Sequence, residues 1–139
     1  MIRIIVYETI RRTIMKVKPT ASELEILQIL WKKGESTVRE VNEELTRDRE
    51  VEVGYTTTLK LMQIMHDKGL VERDTSSRTH KYKPLITHAH TSQGILQTLI
   101  DTVFNGSTAQ LVMQALSNKS SSKEEIKKIK EYLDQLEKK

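Results

Sequence analysis

Two capping boxes set the frame into which this chain can fold. Thr20-Ala-Ser-Glu23 and Thr37-Val-Arg-Glu40 each place a hydroxyl three residues ahead of a glutamate. In that pattern side chain and backbone satisfy each other's first-turn donors, which marks a helix start. Each box opens an apolar run of helical period. Leu24, Leu27 and Trp31, with Ile26 and Leu30, follow the first; Val38, Val41 and Leu45 follow the second. Gly34 stops the first helix, and the second ends near Arg47. A polar stretch over residues 48–54 leads to a third helix that starts near Tyr55. Leu59, Met62 and Met65 form its apolar set, and Gly69 closes it after Lys68, a cation suited to the helix dipole.

Residues 70–74 and 78–85 then alternate apolar and polar around Thr75-Ser-Ser77, which predicts a hairpin. Three helices and a hairpin within about 65 residues follow the order of a winged helix–turn–helix. In that architecture the third helix enters a major groove and the hairpin rides on the backbone.

Beyond Pro84 apolar residues recur at helical spacing with nothing further to cover them. Ile95, Leu96, Leu99, Ile100, Val103 and Phe104 come first, and Asn105-Gly106 breaks the run. Leu111, Val112, Ala115 and Leu116 form a second set. Ser122-Lys-Glu-Glu125, a third capping box, opens a last one with Ile126, Ile129, Leu133 and Leu136. Short amphipathic helices of this size bury their faces poorly alone. The expected closure is a two-fold homodimer, with Ile95, Leu96, Leu99, Val103, Leu111, Val112, Ile126, Ile129 and Leu133 in its seam.

The expected fold class is thus mainly α with a small β-hairpin. Residues 16–87 form a winged helix-turn-helix DNA-binding domain, and residues 88–139 a helical dimerisation region. Residues 1–15, apolar first and basic after, read as an N-terminal extension, either a disordered arm or a misassigned start. The alternatives are a helix packed on the body, or a basic arm touching phosphates through Arg3, Arg11 and Arg12.

Charge points the same way as the element order. The net charge of +4 is mild, but it is unevenly spread. Residues 20–52 hold five basic and nine acidic side chains, net −4, whereas residues 53–84 hold six and three, net +3. Such a split can turn one basic face to a polyanion, although solvated surface charge would give the same counts. Thr56, Thr57 and Thr58 stand at the start of the third helix, where hydroxyls reach phosphates or base edges and methyls meet thymine methyls. Lys60 lies one turn on and suits phosphate or guanine. Arg73, Arg78, His80 and Lys81 on the hairpin suit phosphates, which position a protein without carrying sequence information. Arg39, at the start of the second helix, suits a neighbouring phosphate. Thr56 would serve equally as a helix cap, and Tyr55 and Tyr82 read as packing residues.

Other classes find little support. There is no cysteine, hence no disulfide, thiolate zinc site or cysteine nucleophile. No glycine-rich phosphate loop, His-Glu-x-x-His or Gly-x-Ser-x-Gly occurs, so neither an enzyme nor a cofactor is expected. His88-x-His90 is a weak candidate for nickel or zinc, and surface histidines are the simpler reading, so no metal is expected. No apolar run approaches the roughly 20 residues that span a bilayer, and a cytoplasmic, nucleoid-associated protein is expected. The competing reading from another class is a winged-helix protein–protein interaction module without specific DNA binding; a basic hairpin is not something such a module needs.

The blocks Thr20-x-x-Glu23-x-x-Ile26-Leu27-x-x-Leu30-Trp31, Thr37-Val38-Arg39-Glu40-Val41, Tyr55-Thr56-Thr57, Lys68-Gly69-Leu70-Val71 and Arg78-Thr79-His80-Lys81-Tyr82-Lys83-Pro84 together resemble the penicillinase-repressor family of bacterial regulators. The resemblance runs over about residues 18–137. It implies a homodimeric repressor that binds double-stranded DNA at inverted repeats overlapping promoters. It also brings a possible partner, a sensor protease that cleaves relatives at an Asn-Phe bond in the dimerisation part. Here Gln114-Ala115 stands in place of that pair. Relatives often carry arginine where this chain has Ile64.

Overall fold

The computed structural model describes residues 2, 3, 18–117 and 121–139. Apart from positions 2 and 3, the expected N-terminal extension, with Arg11 and Arg12, lies outside the described residues. The elements are α1 (Ala21–Lys33), β1 (Ser36–Thr37), α2 (Val38–Arg49), α3 (Tyr55–Asp67), β2 (Val71–Asp74), β3 (Lys81–Pro84), α4 (His88–Thr102), α5 (Thr108–Ser117) and α6 (Lys123–Glu137). The backbone forms two compact units, divided between Thr91 and Ser92.

In the first unit both capping boxes close in both directions. Thr20 Oγ1 accepts from the Glu23 N–H at 3.2 Å, and Glu23 Oε1 accepts from the Thr20 N–H at 2.8 Å. The same pair of bonds joins Thr37 and Glu40, at 3.2 and 3.3 Å. Gly34 ends α1 at φ +86°, its N–H donating to Leu30 O at 2.8 Å. A side chain is disfavoured at that angle, so glycine is the natural stop. Helix α2 continues past Arg47 to Arg49, whose Nε donates to Glu25 Oε2 at 2.9 Å and ties the end of α2 to α1. The apolar stripes of the three helices meet in one core. Ile26, Leu27 and Leu30 of α1, Val41 and Leu45 of α2, and Met62 and Met65 of α3 are buried, with Leu70, Val71 and Tyr82 closing it from the sheet side.

One charged group lies in that core. Glu23 is buried, and both its oxygens accept from Lys68 Nζ, at 2.7 and 3.0 Å. Burial by itself would raise this carboxyl. The hydrogen bonds from Lys68 and from the backbone and hydroxyl of Thr20, with the charge of Lys68, outweigh burial and hold it below its ordinary value. Lys68 thus does more than complement a helix dipole: it staples the end of α3 to the start of α1.

The sheet has three antiparallel strands in the order β1-β3-β2. The hairpin pairs Val71 with Pro84, Glu72 with Lys83, Arg73 with Tyr82 and Asp74 with Lys81. Its return strand is shorter than the alternation predicts, because pairing stops at Asp74–Lys81. Residues 75–80 form the tip, shaped by Ser76 N–H donating to Asp74 Oδ1 at 2.9 Å and Ser77 Oγ donating to Thr79 O at 2.8 Å. The two-residue strand β1 was not legible: Ser36 and Thr37 pair with Tyr82 and Lys81, residues distant in sequence. Helices followed by this small winged sheet make the fold a winged helix–turn–helix, mainly α.

Helix α4 begins at His88, seven residues before the first residue of its apolar set, Ile95, because the Thr87 hydroxyl accepts from the His90 N–H at 3.1 Å. Just upstream, Trp31 Nε1 donates to Ile86 O at 2.9 Å, and the Trp31 ring meets His88 edge-on, centroids 5.1 Å apart.

In the second unit, Asn105 (φ +53°) and Gly106 (φ +83°) end α4, and Gly106 N–H donates back to Ile100 O at 2.9 Å. Ser107 Oγ caps α5 through the Gln110 N–H at 3.1 Å, and Ser122 Oγ accepts from the Glu125 N–H at 3.1 Å, forming one half of the third box. Ile100 is buried. Ile95, Leu96, Leu99, Val103, Val112 and Leu133 are exposed, Val103 by 66% and Leu133 by 51%. Leu111, Ile126 and Ile129 are half-buried.

Candidate nucleic-acid interface

Gly54 precedes α3 as its N-cap and no side chain caps the helix. Thr56, Thr57, Lys60 and Gln63 are exposed. Thr56, Lys60 and Gln63 follow at i, i+4 and i+7 and share one face. Gln63 escaped the sequence reading, although its spacing from Thr56 and Lys60 was the signal that would have found it.

Thr58 departs from the expectation. It is buried, and its Oγ1 accepts from Asn42 Nδ2 at 2.9 Å. The same amide group donates to Val53 O at 2.8 Å. Asn42 on α2 thereby fixes the turn into α3, and the Thr58 hydroxyl is engaged away from any ligand. Thr58 precedes Met62 by four residues and Met65 by seven, which places it on the apolar stripe.

The wing and two helices enclose a cleft of about 390 Å³. Arg39 reaches it from the start of α2, Tyr55, Leu59 and Gln63 from α3, Arg73 from β2, and Arg78 and His80 from the tip. Tyr82 packs as expected and is buried, but Tyr55 is 48% exposed and lies on the cleft wall. Lys81 belongs to a different groove, of about 470 Å³, with Glu35, Glu72, Asp74 and Lys83, and Arg73 borders this groove too. There Asp74 is held below its ordinary value, first by hydrogen bonds from Ser76 and then by the charges of Lys81 and Lys83. Lys81 therefore spends part of its field on a neighbour.

The cations divide by partner. Lys33 and Arg47 pair with Glu44, Arg49 with Glu25, Lys68 with Glu23 and Lys83 with Glu72. Among the described residues, Arg39, Lys60, Arg73 and Arg78 form no ion pair with a carboxylate, and all four lie on α3 or on elements flanking it. Arg73 goes further: its Nε is buried and has no hydrogen-bond partner. Paired cations also stand at the end of α3 (Lys68) and on the wing (Lys83), but Arg39, Lys60, Arg73 and Arg78 leave unneutralised positive charge around α3, which favours an anionic ligand.

His88, half of the His-x-His pair, packs against Trp31. Among the described residues no helix is long and apolar enough to cross a membrane.

Residues 19–135 match the family described as Penicillinase repressor. The chain is similar to the penicillinase repressor of Bacillus licheniformis, 26% identical over 123 residues that cover 87% of this chain and 94% of that one. It is also similar to the methicillin resistance regulatory protein MecI of Mammaliicoccus sciuri, 21% identical over 115 residues, 83% of this chain and 92% of that one. Among solved structures it is similar to a MarR family protein from Bacillus stearothermophilus, with a TM-score of 0.46 and 21% identity over 99% of this chain and 88% of that one.

Proposed function

The chain belongs to the penicillinase repressor family, and from that premise we propose that it represses transcription by binding an inverted-repeat operator as a homodimer. DNA-binding repression, without catalysis, is the family's trade. The observation that carries the finer reading is the group of cations without a carboxylate partner, Arg39, Lys60, Arg73 and Arg78, around α3 and the wing.

In this reading Thr56, Thr57, Lys60 and Gln63 face the major groove. Arg39, Arg73, Arg78 and His80 sit on phosphates beside it, and Lys81 touches the backbone from the far side of the wing. The exposed apolar residues of the second unit, Ile95, Leu96, Leu99, Val103, Val112 and Leu133, with half-buried Leu111, Ile126 and Ile129, are the seam that a second copy covers. Two wings related by a two-fold axis match an operator with the same symmetry.

The test is a fluorescence-anisotropy titration with duplex from upstream of the protein's own gene, at two salt concentrations, with random duplex as competitor. Binding should weaken steeply with salt and survive the competitor. Equal displacement by random DNA would overturn the reading. Arg39→Gln should weaken all sequences alike and reduce the magnitude of the log–log salt slope by roughly one. Lys60→Ala should instead relax preference at one base pair, by about 1–3 kcal/mol.

Ile64 adds a distinct expectation. It is 42% exposed on α3 and has no polar atom to offer a base edge. Apolar contact with a thymine methyl is the readout open to it. Replacing thymine by uracil at one operator position should weaken the wild type about threefold to tenfold. The same replacement should leave the affinity of Ile64→Ala unchanged. Equal sensitivity of both proteins would remove Ile64 from base recognition.

A further inference from the structure

We propose that the cleft between α2, α3 and the wing is an oxyanion socket centred on Arg73, taking one phosphate-type anion, whether from the DNA backbone or free in solution. The proposal deepens the DNA-binding reading and rests on it for the backbone source, but not for the free one.

Three observations meet there. First, Arg73 Nε is buried without a hydrogen-bond partner. Buried donors are nearly always satisfied, so an orphan N–H on a cavity wall calls for an acceptor that arrives from outside. A guanidinium suits an oxyanion, which it can engage through two parallel N–H bonds. Second, Arg39, Arg78 and His80 line the same cavity from α2 and the wing tip, and among the described residues no carboxylate lines it. The groove across the wing, which Arg73 also borders, is larger, but Glu35, Glu72 and Asp74 stand among its cations, so the carboxylate-free cleft is the better seat for an anion. Third, Leu59 and the rings of Tyr55 and Tyr82 form part of the wall. Apolar walls thin the water around the cations and strengthen their pull on an anion.

At about 390 Å³ the cleft exceeds a bare phosphate and falls in the size range of small-ligand sites. It therefore has room for the sugar of a nucleotide unit, or for the body of a small phosphorylated compound. A free anion seated there would occupy the place of a backbone phosphate and compete with the operator.

The experiment has two arms, both on the full chain. In the first, thermal unfolding is followed with inorganic phosphate against sodium chloride at matched ionic strength, without DNA. The wild type should show a saturable rise of roughly 4 °C at tenfold excess over Kd. Arg73→Lys, which keeps the charge and removes the Nε donor, should not. In the second, duplexes carrying single methylphosphonates are titrated by anisotropy. One position should weaken the wild type at least fivefold and leave Arg73→Lys indifferent. A response that depends on Arg73 in the first arm identifies a free anion, and in the second the DNA backbone. Independence from Arg73 in both overturns the socket. If the DNA-binding reading itself fails, the first arm still decides. Should Arg73→Lys not fold by circular dichroism, Arg78→Gln at the exposed tip is read in the same two arms, and a full wild-type response from it overturns the proposal.

Discussion

A chain ending at Thr91 should remain folded and monomeric, and should bind one operator at least 100-fold more weakly than the full chain. The core lies wholly upstream of that point, from Ile26 to Tyr82, and the Trp31–Ile86 bond is retained. What is lost is the second half-site. Linking two modules makes the second contact intramolecular, and such avidity is worth about 10²–10⁴ in affinity. Ending at Pro84 instead would remove both Ile86 and His88 from Trp31 and confuse destabilisation with loss of dimerisation. Leu99→Asp in the full chain should reproduce the effect, because a charge is costly in a closed apolar seam. Analytical ultracentrifugation beside anisotropy reads both quantities. A truncated chain that sediments as a dimer would place the seam elsewhere.

Glu23→Ala should lower the unfolding stability of the first unit by about 3 kcal/mol, as much as truncating a core leucine. It removes one partner of a largely buried ion pair and half of a capping box. The corresponding fall in Tm is roughly 10 °C. The pH dependence has a definite sign. Burial opposes the charged form, yet the bonds from Lys68 and Thr20 hold the folded carboxyl below its ordinary value of 4.5. Stability from this group is therefore complete above pH 4.5 and drains as pH falls below it, through the folded pKa. The stability gap between wild type and Glu23→Gln should close over the same interval. A gap that shows no decline as pH falls below 4.5 would show that Glu23 acts by packing rather than by charge.

Local chemistry was easily read from the sequence. The boxes at Thr20 and Thr37, the stop at Gly34 and the break at Asn105-Gly106 depend on neighbours three or four residues away, and each stands where the pattern puts it. Long-range pairing was not readable. Nothing in Ser36-Thr37 announces a strand, since its partners Tyr82 and Lys81 arrive more than forty residues later. The interface was legible in type and less so in membership. Spacing could have sorted Thr58 from Thr56 and Thr57, but a run of identical hydroxyls concealed the difference between a core face and an outer one. Arg73 and Lys81 look alike as wing cations. The sheet register sets Lys81 opposite Asp74 and Arg73 opposite Tyr82, and of the two only Arg73 borders the carboxylate-free cleft as well as the groove across the wing.

Trp31 is the chain's sole tryptophan, and its indole sits where the first unit hands over to α4. All of the protein's indole emission therefore comes from this one seam. Its Nε1–H is tied to Ile86 O and its ring edge to the His88 imidazole, so wavelength and intensity both respond to detachment of the helix start. The first unit carries its own optical gauge, with no label to attach. Stopped-flow mixing with DNA can read whether these two contacts change on capture, and how fast.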